Sequence, residues 1–447
     1  MPRKLVMSYV IALALYSTVL ASAAMAATST ALSYKRSEIV NTIIGANLGY
    51  IFDFYDILIA SFALTYWIHQ FGISAAEGGL ILTANLVGNA IGGVIFGWAA
   101  DIIGRKKGLY ITMAIFGIFT SLLFTATTPL QVATYRFIGG LGMGGEWGIG
   151  LSLVAEVWPS ERRGLSGGFY QGSGGGLGTG LAVATGLFLM PVYGWRTVFL
   201  VSGLLSFLII FVRFGMPESK KWLEYKRRKA ANELPAELEK YSSHSPLKQI
   251  FMGDLKATTI KFLLVAFAFM FTFYGLIAWI PTILSQLHFS MLSTYIILFG
   301  TGTILPFILE PIVGVLSDKY GRRRFTRFFM GTYALALSIG ALGVLTHTLS
   351  TAFVGYLLFY FSVGAFGAWP LWLNEIYPTR ARATGSDFVY SVGRGFGGLA
   401  PYALGVLAPL VGGLQLASSV ALIALAIGFA ATFVIPETSR RQINAIE

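Results

Sequence analysis

Two acidic residues lie three positions apart in an otherwise apolar stretch of the chain, Asp53 and Asp56 in FDFYD. A spacing of three places both carboxyl groups on one face of a helix. A charged residue inside a membrane costs about 2.5–3.5 kcal/mol on insertion scales, so each aspartate should face a water-filled cavity or a partner. We interpret both as candidates for binding and releasing a proton. A structural hydrogen bond to a neighbouring helix is the alternative.

Two arginines in apolar stretches are candidates for the same chemistry. Arg136 precedes the glycine run of YRFIGGLGMGGEWG, where glycines allow close helix packing. A buried guanidinium beside either aspartate would favour its charged form and set the proton coupling; a purely structural ion pair is the alternative. Arg394, in SVGRGFGG, is a candidate for binding a substrate carboxylate, because guanidinium binds carboxylate in a bidentate manner. The alternative for Arg394 is that its long side chain places the charged group at the cytosolic surface of the membrane.

Aromatic and amide side chains in apolar segments could line a substrate site, although core packing is the alternative for each. The further candidates for substrate binding are Tyr55, Gln171, Tyr274, Trp279 and Trp369. Glu146 and Glu310 are also in apolar segments, and we interpret them as partners of gating residues near the cytosolic surface.

The elements that position these residues are predicted to be membrane-spanning helices. Only 12% of the 447 residues are charged, against about 25% in soluble domains. Apolar runs long enough to cross a hydrocarbon core of about 30 Å follow one another along the chain. The sequence therefore predicts an all-α membrane protein with six plus six spans. These spans are predicted near 42–68, 76–100, 108–127, 130–157, 166–190, 196–215, 259–285, 292–316, 327–347, 351–375, 386–411 and 414–435.

The sequence repeats itself at an offset of about 218 residues. GWAADIIGRKKG at 97–108 is matched by GVLSDKYGRRRF at 314–325, AEVWPSERRG by LNEIYPTRARA, and PESKKW by PETSRR. Such a period indicates two related structural units. FDFYD aligns with FTFYG, so the two aspartates have no acidic counterpart, and Arg394 aligns with Gly175. We expect these asymmetric positions to serve transport and the repeated ones to serve gating.

Charged residues at the repeated helix ends are candidates for a cytosolic gate. A carboxylate at one helix end and an arginine in the next turn can pair with another helix end and lock one conformation. The predicted gating residues are Asp101, Gly104, Arg105, Asp318, Gly321, Arg322, Glu156 with Arg163, and Glu375 with Arg382.

The net charge of +12 does not indicate a nucleic-acid partner. The basic residues concentrate in alternate loops, which is the positive-inside pattern of a multi-pass protein of the cytoplasmic membrane with both ends of its main body in the cytosol.

The predicted divisions are an N-terminal segment at 1–41, a six-helix bundle at 42–216, a cytosolic linker at 217–258, a second bundle at 259–437 and a tail at 438–447. Residues 1–27 resemble a secretory signal; a start at Met25 or a thirteenth span are alternatives.

Several classes of chemistry find no support in the residues. The chain has no cysteine and four histidines distant from one another in sequence, so no metal site is predicted. The glycine-rich GSGGGLGTG lacks the GK[ST] ending of a phosphate loop. We predict no cofactor and no enzymatic activity.

The repeated GxxADxxGRKKG loop, the RFIGGLGMGGEWG segment and the PES and PET motifs resemble the major facilitator superfamily, over nearly all of 42–441. FDFYD, MGGEWG and EIYPTRARATG resemble its proton-coupled organic-acid symporters, including sialate, lactate and aromatic-acid carriers. PESKKWL also resembles the sugar porters.

The resemblance implies two bundles that rock around a mid-membrane site, with Arg136 linked to proton transfer. It implies proton-coupled uptake of a small organic acid by a monomer, with the substrate, protons and the lipid bilayer as partners. Sugar:proton symport is the main alternative. Drug:proton antiport and a non-transporting sensor are further alternatives, although the Gly-Pro motif of antiporters and the long cytosolic domains of sensors are missing from this sequence.

Overall fold

A computed structural model describes residues 34–158, 163–231, 233, 246–289, 301–377 and 382–438. The predicted signal at 1–27 and nearly all of the tail lie outside these residues, as do the side chains of Asp101, Arg163 and Arg382. The helices are α1 (Arg36–Phe71), α2 (Ala75–Ile103), α3 (Arg105–Leu122), α4 (Pro129–Val157), α5 (Arg163–Gly172), α6 (Thr179–Ala184), α7 (Met190–Arg213), α8 (Lys220–Ala230), α9 (Pro246–Gln249), α10 (Gly253–Ile277), α11 (Ile280–Gln286), α12 (Leu305–Tyr320), α13 (Arg322–Leu345), α14 (Leu349–Ser362), α15 (Trp369–Ile376), α16 (Arg382–Gly397), α17 (Ala400–Val411), α18 (Leu414–Ser418) and α19 (Ala421–Ala431).

Apolar helices dominate the described part of the chain, as the sequence predicts. Nine helical segments within it are long and apolar enough to cross a membrane. One of them, Leu165–Arg213, has 49 residues, too many for a single crossing of about 20 residues. It bends at Gly194, whose φ is 75°, and it covers two of the predicted spans. The count of twelve spans remains a prediction.

Glycines bring the two sequence halves into close contact along two seams. In the first, α2 packs against α16 and α17, and a Cβ on Gly79 would lie 2.5 Å from the carbonyl oxygen of Pro401. In the second, α5 packs against α12, and a Cβ on Gly168 would lie 2.7 Å from the carbonyl oxygen of Glu310. Backbones approach this closely only where a side chain is missing from the contact.

Several helices change geometry between their ends, and these irregular segments lie beside the residues of interest. Ser173–Gly178 and Thr185–Leu189 are π-helical, on either side of α6. Val363–Gly367 is a 3₁₀ segment between α14 and α15, and α10 and α11 are separated at Ala278 and Trp279. Irregular backbone at membrane depth is tolerated where it is buried in protein or lines a cavity.

The repeated PES and PET motifs close the N-termini of α3 and α13. The Glu218 carboxylate accepts backbone hydrogen bonds from Arg105 at 3.0 Å and Lys106 at 3.2 Å. Glu437 accepts the equivalent bonds from Arg322 at 2.9 Å and Arg323 at 3.0 Å. A carboxylate at this position satisfies free N–H groups and complements the positive end of the helix dipole.

The hydroxyl that follows each glutamate continues the same network. Ser219 donates to Glu156 at 2.5 Å, and Glu156 also pairs with Arg105. Thr438 donates to Glu375 at 2.7 Å, and Glu375 pairs with Arg322 at 2.8 Å. Each motif therefore links the N-terminus of one helix to the C-terminal end of another by hydrogen bonds.

The short helix α8 carries a charged network outside the apolar segments. Glu224 accepts hydrogen bonds from Arg227 at 2.9 Å and Arg228 at 2.8 Å. The bonds from Arg227 and then Arg228 lower the pKa of the Glu224 carboxyl to about 2. This exposed network keeps the helix soluble, in the stretch predicted to link the two bundles.

Replacing Gly104 by alanine is expected to destabilise the protein by about 1–2 kcal/mol, because its φ of 106° strains any other residue. The new Cβ would also lie 2.5 Å from a carboxylate oxygen of Glu218. Thermal unfolding in detergent measures the effect. Gly331→Ala is the matched control, since nothing lies within 4 Å of a Cβ at this helical glycine. Equal midpoints for the two variants would contradict the prediction.

Candidate functional site

Asp53 and Arg394 form a buried ion pair between α1 and α16, the first from the N-terminal half of the sequence and the second from the C-terminal half. The guanidinium donates from Nη1 to Oδ2 at 2.9 Å and from Nη2 to Oδ1 and Oδ2 at 3.1 and 2.9 Å. Asn89 of α2 donates a further bond to Oδ1 at 3.2 Å. Both charged residues are about 1% exposed. The carboxylate thus covers the face of Arg394 that would bind another carboxylate.

Asp56 has a different partner, Arg136 of α4, within the same sequence half. The Arg136 guanidinium donates from Nη1 to the Asp56 carboxylate and from Nη2 to its backbone oxygen at 3.2 Å. The hydroxyl of Thr120 lies 3.5 Å from Oδ1. Both members of the pair are buried, so it joins α1, α3 and α4 into one unit.

The two aspartates lie one helical turn apart, but each is paired with its own arginine. Neither has to share a proton with the other in this arrangement, since a nearby guanidinium compensates each charge. The pair of Asp53 joins α1 to α16, whereas the pair of Asp56 stays among helices of the first sequence half. Only the first pair can respond to movement between the halves.

Tyrosines surround the Asp53–Arg394 pair. The Arg394 guanidinium lies 5.5 Å from the ring centre of Tyr274, and the Tyr390 and Tyr50 side chains are close enough to interact with its charge. Among the described residues, no partner in hydrogen-bonding geometry is found for the buried hydroxyls of Tyr274 and Tyr390 or for Nε of Arg394. Buried polar atoms normally have partners, so these atoms can bind a polar ligand at the pair.

Stacked aromatic rings continue from this pair. Tyr390 stacks between Trp147, at 3.5 Å, and Trp369, at 5.6 Å between ring centres. Trp147 donates from Nε1 to Gln171 at 2.6 Å. The stack fixes the orientation of Gln171, whose Nε2 has no partner.

A small cavity lies where the α1, α10 and α12 helices meet the π-helical segment and the 3₁₀ segment. Its volume is about 10 Å³, about that needed to hold one water molecule. Rings and a few polar groups form its wall. The lining residues are Tyr50, Phe54, Gln171, Gly175, Thr179, Phe273, Ile277, Gly302, Pro306, Glu310, Tyr360, Val363 and Phe366. The closely packed seams leave the cavity closed on the scale of a substrate.

The predicted substrate-binding residues fall into three groups. Gln171 lines the cavity, and Tyr274 and Trp369 lie beside Arg394 and its tyrosines. Trp279 is elsewhere and donates to the carbonyl oxygen of Pro401 at 3.0 Å. Tyr55 points to α7, where its hydroxyl lies 2.6 Å from that of Ser202.

Sequence reasoning missed most of the cavity wall, because its aromatic residues look like core residues. It also misplaced Glu310, which we interpreted as the partner of a gating residue. Glu310 is 1% exposed, lines the cavity and makes no hydrogen bond through Oε2. Its position on the cavity side of α12 depends on helix rotation, which one sequence does not specify.

Glu146, which we interpreted as a partner of gating residues, instead pairs with Arg213, which is not among the predicted gating residues. Its carboxylate pairs with Arg213 of α7, with Nη1 3.0 Å from Oε1, and accepts from Thr112 at 2.6 Å. Arg213 also donates to the carbonyl oxygens of Gly45 and Leu109. A fully hydrogen-bonded buried pair of this kind fixes helix positions.

The described gating residues make their ion pairs within one sequence half. Arg105 pairs with Glu156 in the first half, and Arg322 pairs with Asp318 and Glu375 in the second. In this conformation the pairs clamp helices within each half. Their role as a gate between the halves remains a prediction.

Comparison with known proteins decides the family. The model of the Major Facilitator Superfamily matches residues 46–401. The chain belongs to this superfamily. A protein of Haemophilus influenzae named for metabolite transport is 32% identical to this facilitator over 409 residues, which cover 90% of this chain and 97% of the relative. The niacin transporter NiaP of Acinetobacter baylyi is 28% identical over 379 residues, 79% of this chain and 83% of the relative.

A solved structure gives the same fold. The D-xylose-proton symporter has a TM-score of 0.70 with this facilitator at 18% identity, over 90% of this chain and 99% of the symporter. This facilitator is thus an all-α, multi-pass membrane transporter of small molecules, and not an enzyme.

Asp56→Asn in this facilitator is expected to destabilise the folded state by about 3–5 kcal/mol, because the Arg136 charge stays buried without compensation. Thermal unfolding in detergent measures the loss. The double variant Asp56→Asn/Arg136→Gln removes both charges and should recover part of the loss, as in a double-mutant cycle. Additive losses in the double variant would show that the two side chains do not act as a pair.

Proposed function

We propose that this transporter takes up a small organic acid together with a proton. The observation that carries the proposal is the bidentate Asp53–Arg394 pair between the two sequence halves. The niacin named for one relative is itself a carboxylic acid. A carboxylate substrate therefore meets, at Arg394, a group that already binds carboxylate in the same geometry.

Competition between Asp53 and the substrate carboxylate for the Arg394 guanidinium would couple proton binding to substrate binding. While Asp53 is charged, it occupies both outer nitrogens of Arg394. A proton on Asp53 removes its charge and weakens its bond to Arg394, since charge-assisted bonds are about twice as strong as neutral ones. Arg394 can then bind the substrate carboxylate in place of Asp53. The proton and the acid thus bind together, and neither is favoured alone.

The same competition favours release of the substrate acid on the other side of the membrane. When the acid leaves, the buried Arg394 charge needs a new partner, because an isolated charge in a low-dielectric site is costly. Asp53 provides it on losing its proton. The cycle returns to the paired state after moving one proton and one acid in the same direction.

Rocking of the two sequence halves would expose this site to each side in turn. The glycine seams of α2 with α16 and α17, and of α5 with α12, are the surfaces that slide or part. The end with the repeated basic loops faces the cytosol in this proposal, following the positive-inside pattern. The Arg105–Glu156 and Arg322–Glu375 clamps then keep the cytosolic ends of each half rigid during the movement.

The proposal predicts that uptake depends on a pH gradient through Asp53. Proteoliposomes with an acidic exterior should accumulate labelled nicotinate, whereas Asp53→Asn should lose gradient-driven accumulation and keep exchange between labelled and unlabelled acid. The asparagine cannot take up a proton but leaves Arg394 able to bind. Substrate affinity of the wild type should fall by up to about tenfold per pH unit once Asp53 is charged, and that of the variant should stay flat.

Protein-free liposomes control for passive entry of the acid, and labelled D-xylose tests the sugar alternative in the same vesicles. Accumulation by Asp53→Asn equal to that of the wild type would refute the proton role of Asp53. Gradient-driven uptake of xylose but of no acid would favour sugar:proton symport.

Arg394→Lys is expected to weaken nicotinate binding at least about tenfold, because an ammonium group cannot form the two parallel bonds of a guanidinium. Isothermal titration at acidic pH measures the affinity. Arg327→Lys is the matched control, since Arg327 contacts Thr432 and Phe433 away from the cavity. An Arg394→Lys affinity equal to that of this control would exclude bidentate recognition.

A further inference from the structure

The Glu310 carboxyl group is a polar group of the cavity wall that the proposed coupling does not explain. It is 1% exposed, and no hydrogen bond of its side chain is found among the described residues. It lies on α12 and lines the cavity together with Tyr50, Phe273 and Tyr360, whereas Asp53 and Arg394 are not among the lining residues. Glu310 is therefore a polar group of the cavity wall apart from the ion pair.

A carboxyl group in this setting needs a partner. Burying a polar group without a hydrogen bond costs about 1–3 kcal/mol in proteins, and burying an unpaired charge costs more. A neutral carboxyl group is both a donor and an acceptor, so it can bind a hydroxyl group, an N–H group or a ring nitrogen. Gly175 faces the glutamate, and a Cβ there would lie in van der Waals contact with Oε1, at 3.6 Å.

Other unpartnered atoms point to the same kind of ligand. Within the described part of the chain, no hydrogen-bond partner is found for Gln171 Nε2, which belongs to the same wall, or for Thr303 Oγ1, just before α12. Phe54, Phe273 and Phe366 line the same wall and form a chain of ring contacts that starts at Tyr50, with ring centres 5.2, 6.2 and 5.3 Å apart. Such rings pack well against a flat ring in stacked or edge-on geometry.

We propose that Glu310 is a specificity-determining residue, which selects planar carboxylic acids that carry a second hydrogen-bonding group on the ring. The acid group of the substrate binds at Arg394, its ring lies among the phenylalanines, and its second polar group bonds to Glu310. This inference rests on the proposed acid transport. It adds a substrate class, namely ring acids with a hydroxyl, amino or ring-nitrogen substituent.

The repeat agrees with a specialised role for this residue. At the offset of 217 that relates 97–108 to 314–325, Glu310 aligns with Gly93. Gly93 is a packing residue of the first seam, where a Cβ would lie 2.3 Å from the Ser391 hydroxyl oxygen. The acid is thus present in one half only, like Asp53 and Arg394, and is not required by the packing that both halves share.

The test is the ratio of dissociation constants for matched acids, measured by isothermal titration on the purified full-length protein at acidic pH. Benzoate is the reference, and nicotinate, 3-hydroxybenzoate and 4-hydroxybenzoate add a ring nitrogen or a hydroxyl group. The wild type should bind at least one of the three about tenfold more tightly than benzoate, the size of one neutral hydrogen bond. Glu310→Leu should bring that ratio close to one, and Glu310→Gln should keep part of it.

A ratio within one variant is insensitive to a general loss of stability or of active protein, which would weaken all the acids together. Ile308→Ala is the control, because Ile308 lies on the same helix but is 44% exposed and is not a lining residue, so the wild-type preference should be kept. A wild type that binds all four acids equally, or a Glu310→Leu variant that keeps the preference, would overturn the inference.

The outcomes separate this inference from the proposed function. If the pH gradient drives nicotinate uptake but the wild type binds all four acids equally, only the role of Glu310 is refuted. If the dissociation constants show the expected preference but the pH gradient drives no uptake, only proton coupling is refuted. Failure of the wild type to bind any of the four acids overturns both.

Discussion

A carboxylate and a guanidinium from opposite halves of the chain can both stay charged inside a membrane only while they face each other. The Asp53–Arg394 pair meets this condition with three hydrogen bonds and a further bond from Asn89. Arg394 and Asn89 lie on helices of the first glycine seam, whereas Asp53 lies on α1. The seams bring backbones together at glycines, and the ion pair adds a charged, directional contact between the halves.

The fold was largely predictable from the sequence, since long apolar helices and a repeat at a constant offset are local patterns. The role of the PES and PET motifs was not. Their glutamates close helix N-termini more than a hundred residues earlier in the chain, and only the folded arrangement brings these together. The positive φ of Gly104 and Gly321 explains why both loops carry glycine, because a Cβ there would approach the closing glutamate.

Part of the site could be found because it breaks the repeat. Asp53, Asp56 and Arg394 stand where the other half has uncharged residues, and intramembrane charge is rare enough to be noticed. That Asp53 contacts Arg394, 341 positions away, could not be predicted, because it depends on how the helices of the two halves pack. Glu310 was noticed but misplaced, since a shift of one residue around a helix turns a side chain by about 100°.

The two buried arginine–aspartate pairs differ in what they can do, although their chemistry is the same. In the proposed cycle, Arg136 and Asp56 move together, because α1 and α4 belong to one half, and their pair is kept when the halves rock. Arg394 and Asp53 belong to different halves, so in the same proposal a movement between the halves strains their bonds. A residue pair that responds to the state of a two-state transporter has to lie between the parts that move. The reason is that a ligand shifts the equilibrium only by contacts that differ between the states. Since both pairs are buried, it is the position of each pair relative to the boundary between the halves that leads us to propose coupling for Asp53 and a structural role for Asp56.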